Sequence, residues 1–122
     1  MKRFLIIAAS LLLTLPAAAE KITFTTGSIA GTSVTDRFMP QDFSMLGATC
    51  TVSAVFRTES GMWCIRLSAV SGERAPVVYE YFVQPGDNIR MRRLNESGLS
   101  ECALTVTAVT WNRAELTVTA AK

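Results

Sequence analysis

Histidine is missing from all 122 residues. That absence excludes Ser-His-Asp and Cys-His catalysis and removes the commonest metal ligand. Cysteine is scarce as well, three in all and without Cys-x-x-Cys spacing, so neither a zinc site nor a dithiol redox motif is written here. Long apolar runs are lacking. The one extended stretch, Phe4 to Leu15, is too short for a transmembrane helix, which needs about 20 residues. A surplus of charge is lacking too, once the ends are separated. Removing residues 1–19 takes away two of the twelve Lys/Arg and none of the ten Asp/Glu, so the remaining 103 residues carry ten of each. A neutral domain has no electrostatic footprint for nucleic acid.

The removed stretch has a logic of its own. Met1-Lys2-Arg3 is a basic start, Phe4 to Leu15 an apolar core, and Ala17-Ala18-Ala19 a small-residue cleavage site. That order is a secretory signal peptide. Residues 1–19 are therefore expected to be removed, leaving residues 20–122 as one domain in the periplasm or outside the cell. No cysteine follows the cleavage site, which argues against a lipid anchor. An exported chain meets oxidising conditions, where paired cysteines form disulfides by default.

The rest is written in short alternating segments. Lys21–Thr26 places Ile22 and Phe24 on one side and Lys21, Thr23 and Thr25 on the other. Thr49–Arg57 sets Cys50, Val52, Ala54 and Phe56 against Thr49, Thr51 and Ser53, and Met62–Val70 aligns Trp63, Ile65, Leu67 and Ala69. Pro76–Val83 is rich in Val and Tyr, and Asn88–Arg93, Ala103–Thr110 and Ala114–Ala120 are further strands, the last two carrying LTVTA at 104–108 and 116–120. Gln84-Pro85-Gly86-Asp87 suits a type II turn, since Pro presets φ and Gly accepts φ > 0 at the next position. Period-2 alternation with β-branched enrichment predicts an all-β domain: an immunoglobulin-like two-sheet antiparallel sandwich of about seven strands. Residues 27–47 show no clear period and stay unassigned, apart from a possible helical turn after Pro40.

Alternation also orients the cysteines. Cys50 and Cys102 share faces with apolar neighbours and point to the core, whereas Cys64 points outward with Arg66 and Ser68. The expected bridge is Cys50–Cys102, closing a loop of about 50 residues worth roughly 4 kcal/mol. A register slip of one residue would turn Cys64 inward and favour Cys64–Cys102 instead. Trp63 lies thirteen residues after Cys50, in keeping with the Cys…Trp…Cys layout of immunoglobulin sandwiches, but Ser100 stands where a tyrosine corner would place tyrosine.

Nothing in the spacing selects two carboxylates for acid–base work, and Met39, Met45, Met62 and Met91 lack the close repeat of a copper site. No catalytic residue, cofactor or metal is expected, and the chain reads as a non-enzyme. Arg90, Arg92 and Arg93 form the one local basic cluster, either a contact surface for an acidic partner or a guard on an edge strand.

Two features together carry a family resemblance: KITFTT directly after the signal, and a body running from Cys50-Thr51-Val52 through YEYFVQPGDNIRMRRL to a closing hairpin ending in ELTVTA. The chain resembles the small periplasmic immunoglobulin-like proteins of the curli-assembly system, the CsgC/CsgH type. Val52 stands where that family often has the second cysteine of a Cys-x-Cys pair, so no redox role is carried over. The resemblance implies a chaperone that binds an unfolded, aggregation-prone secreted subunit and delays amyloid formation; the chain is expected to be monomeric or weakly dimeric. Arg90, Arg92 and Arg93 and the Thr-rich strand faces would then be client-binding surface. The competing expectations are a fimbrial or adhesive accessory module and an inhibitor of a secreted hydrolase, with loop 27–47 as its plug.

Overall fold

The computed structural model describes residues 20–33, 36–43 and 48–120, and the expected signal peptide at 1–19 lies outside the described residues. Among the described residues there are nine strands: β1 (Glu20–Thr25), β2 (Gly31–Ser33), β3 (Asp36–Pro40), β4 (Thr49–Arg57), β5 (Trp63–Val70), β6 (Val77–Val83), β7 (Asn88–Asn95), β8 (Gly98–Thr110) and β9 (Arg113–Ala120). They form an all-β antiparallel sandwich of two sheets, a six-stranded one in the order β1-β9-β8-β7-β3-β2 and a three-stranded one in the order β4-β5-β6. The two strands beyond the expected seven come from the unassigned segment. β2 is only three residues long, and in β3 Phe38, Met39 and Pro40 are all buried, so neither shows alternation. After Pro40 the chain makes one turn, closed by the Phe43 amide donating to the Pro40 carbonyl at 3.0 Å.

Two bulges correct the expected inner face. β4 pairs with β5 through Val52↔Leu67 and then Ala54↔Arg66, so Ser53 is an extra residue and the alternation flips beyond it. Val55, not Ala54 or Phe56, enters the core, and Phe56 turns outward opposite Cys64. β8 does the same between Val106 and Ala108, which sends Val109 rather than Ala108 inward. Phe24, Phe38, Ile65, Leu67, Leu104 and Leu116 are fully buried between the sheets. Each contributes about 1.5–3 kcal/mol by leaving water.

One side of the sandwich is closed by hydrogen bonds. After β1 the chain runs along β4: the Gly27 amide donates to Val52 O at 2.7 Å, the Val52 amide to Ser28 O at 2.8 Å, and the Ala30 amide to Cys50 O at 2.7 Å. It then changes sheets, with the Phe38 amide donating to Ala30 O at 2.6 Å before β2 pairs with β3. A Cβ on Gly31 would overlap the Asp36 carbonyl, so only glycine allows that approach. The β8–β9 hairpin adds a further tie. Its tip residue Asn112 adopts a left-handed φ of 68° and donates its amide to Val55 O at 2.9 Å. Residues 27–33 and 36–40 are thus built into the sheets, which removes most of the free loop that a hydrolase plug would require.

The cysteines need a second correction. Cys50 and Cys102 do face the core from opposing sheets, but no bridge joins them, and Cys50, Cys64 and Cys102 are all free and buried. Alternation fixes the face a side chain takes, not its place along the core. Cys50 lies near Tyr81, while Cys102 sits within the field of Arg93, Asp36 and Glu20. Burial pushes the Cys50 thiol up to about 12 and the Cys102 thiol to about 11. Cys64 keeps its expected outward parity but is covered, with Phe56 and Phe82 as its cross-strand neighbours. The slipped register that would pair it with Cys102 does not occur.

Candidate functional site: the uncovered edge of the small sheet

β6 ends the three-stranded sheet, and among the described residues no strand pairs with its outer edge. Its sequence explains why it is a strand: VVYEYFV holds only β-branched or aromatic residues apart from Glu80. Pro76 precedes it, and the expected turn follows, with Gly86 at φ 100° and the Asp87 amide donating to Gln84 O at 3.0 Å. That turn is pinned to β8. The Gly86 amide donates to Val106 O at 2.7 Å and the Val106 amide to Asp87 O at 2.8 Å. The pinning sets the angle at which the chain leaves the small sheet for β7.

The two faces of β6 differ. Tyr79 and Tyr81 turn toward the core side, where Tyr79 meets Phe43 edge-on at 6.2 Å and burial raises the Tyr81 phenol above its ordinary range. Val78 and Phe82 turn outward and are 56% and 53% exposed. Phe56 stands in the same row as Phe82, two strands away, because of the bulge at Ser53. Between these apolar positions, Arg66 bonds Glu80 at 2.7 Å and rests its guanidinium 4.9 Å above the Phe56 ring. The outer face of this sheet thus carries Phe56, Phe82 and Val78 around a neutralised Arg66–Glu80 pair, with Thr51 and Ser68 beside Val78.

Beside the edge lies a cleft of ≈ 570 Å³ between β6, the turn at Pro40–Asp42 and the start of β7. Tyr81, Asp42, Asp87 and Arg90 supply much of its polar wall. Strand-edge amides and carbonyls, flanking aromatics and a groove alongside are the parts needed to accept an extended peptide as an added strand.

The three arginines singled out from sequence separate here. Arg90 lines the cleft, and Arg92 is on the outer face of β7, opposite Glu101. Arg93 is not on that surface. It shares the inner face with Ile89 and Met91, and its guanidinium bonds Asp36 of β3 and Glu20 of β1, each at 2.7 Å, while lying 5.4 Å from the Phe38 ring. Those hydrogen bonds raise its pKa further and fix its charge. Arg93 is a tie across one end of the core. The sequence signal was present, since residues 89, 91 and 93 alternate with 90 and 92. The edge itself was missed because only topology decides which strand is last in a sheet.

Among the described residues no group of three or more His, Cys, Asp or Glu that could hold a metal ion comes together, and no helix is long and apolar enough to cross a membrane. Compared with protein-family models, with curated proteins and with solved structures, the chain matches none.

Proposed function

We propose that this chain is an exported, non-enzymatic chaperone of the curli-assembly kind, which binds an extended segment of an aggregation-prone subunit along β6. The uncovered β6 edge with its adjoining cleft is the observation that carries this reading. Amyloid grows when strands add to an edge and mate through dry side-chain interfaces. A client strand on β6 forms its backbone bonds, but one of its faces is turned to the wall made by Pro40–Asp42 and Asn88–Arg90. That face is lost to a mating sheet, so addition stops. Arg90, beside Asp42 and Asp87, orients polar client side chains, and Val78 and Phe82 take the apolar ones. Arg92 lies farther out on the same sheet, and Arg93 has no part in the contact.

The test is thioflavin-detected fibre growth of a curli subunit at substoichiometric chaperone. The wild-type chain lengthens the lag, and the double variant V78K/F82K, which places two lysines on the edge, abolishes the delay. An unchanged lag with wild type, or full activity in V78K/F82K, overturns the reading.

A further inference from the structure

The edge strand β6 is close to a palindrome. Read forwards from Val77 it is Val-Val-Tyr-Glu-Tyr-Phe-Val, and backwards from Val83 it is Val-Phe-Tyr-Glu-Tyr-Val-Val. An antiparallel strand paired about Glu80 therefore matches each class of residue with its own. Val77 would stand opposite Val83, Val78 opposite Phe82, Tyr79 opposite Tyr81, and Glu80 opposite its copy. A register shifted by one residue would set residues of opposite faces against each other. Within the strand, only the central register gives apolar–apolar pairs on the outer face and tyrosine pairs on the inner one.

From this we infer that β6 also pairs with β6 of a second copy of the chain, making one six-stranded sheet across a two-fold axis at Glu80. The self-complementary register is the geometric requirement of an isologous interface, in which residue i meets j and j meets i. Like charges directly opposite one another would normally oppose such pairing. Here each Glu80 already carries Arg66 at 2.7 Å, so the axis is crossed by a row Arg-Glu-Glu-Arg with no net charge. The exposed Val78 and Phe82 of one copy would be covered by Phe82 and Val78 of the other. Edge strands exposed without lysine, proline or a covering segment are an aggregation hazard. A closed pair removes that hazard without adding a further edge.

The consequence for activity rests on the function proposed above: dimer and client would compete for the same backbone groups, so the pair is the resting form and the single chain the active one. The dimer itself is measured with no client present. Sedimentation equilibrium of the purified chain, from about 1 µM to 1 mM, is expected to show a reversible monomer–dimer transition. V78K should raise the dissociation constant at least about tenfold, since it sets a lysine against Phe82 at both ends of the ladder. Register is tested by oxidation. A mixture of V78C and F82C chains should cross-link as a heterodimer, while V78C alone should not, its two copies lying four residues out of step, about 14 Å apart. A single monomeric species at every concentration, or V78C cross-linking to itself as readily as to F82C, overturns the inference. A dimer without fibre inhibition would sink only the chaperone reading, and fibre inhibition by a strict monomer only this one.

Discussion

The two edges of the small sheet began with the same problem and received different answers. β4 is covered: residues 27–30 hydrogen-bond along it, and Asn112 closes its far part. β6, on the other side of β5, has no strand on its outer edge among the described residues and lies beside a cleft. The covered edge uses residues 27–30 and the amide of a left-handed asparagine at the tip of the β8–β9 hairpin. The bare edge carries exposed valine and phenylalanine with no lysine. Closing an edge takes specific local structure, and among the described residues nothing of that kind is found at the second edge.

Substitutions on the covered side should cost the most stability. Gly31→Ala forces a Cβ into the Asp36 carbonyl and parts β2 from β3, and a loss of about 3 kcal/mol in urea unfolding is expected. Arg93→Ala removes the guanidinium that bonds both Asp36 and Glu20. With Arg93 and Asp36 only 20% and 15% exposed, the cost falls between surface and buried ion pairs, about 2 kcal/mol. Alkali provides a titration of the same interior. Cys50 and Cys102 ionise in the folded chain only toward pH 12 and 11, whereas the unfolded thiols lose their protons near the ordinary 9.0. Folded pKa values above unfolded ones mean that stability holds below pH 9 and declines as pH rises through 9 toward 11. Replacing both thiols with alanine should flatten that decline in a pH series of melts. Asn112→Ala gives up a left-handed residue and its side-chain contact with Thr26, about 1 kcal/mol, read from the same melts. On the bare side, V78K/F82K should shift stability by less than about 0.5 kcal/mol while removing client binding. A large loss of stability there would mean that the edge is already covered by something that belongs to the fold.

How much of this was legible depends on how local each feature is. β1, β5 and β9 follow from alternation, and β6 from its richness in Val and Tyr. β3 was silent because Phe38, Met39 and Pro40 are all buried, so the two-residue period has nothing to display. The inner faces of β4 and β8 were legible only as far as their bulges, since an extra residue leaves no mark in composition. Cys64 was oriented correctly, but its burial comes from Phe56 and Phe82, brought beside it by pairing register. Arg93 could have been placed by parity, yet its partners come from β1 and β3, distant in sequence. The bare edge is a property of strand order and had no local signature, although the palindrome within it was in plain view.

Ser53 carries a consequence for how this chain could change. The bulge absorbs one inserted residue: the residues beyond it in β4 keep their partners and faces, while the two-residue period of the sequence slips by one. Deleting Ser53 would remove the bulge and let Ala54 follow Val52 directly, still opposite Arg66, so Val55 would stay inside and Phe56 outside with Arg66 against its ring. A single codon can therefore come or go at this point while the row Phe56–Cys64–Phe82 keeps its place on the exterior of the sheet.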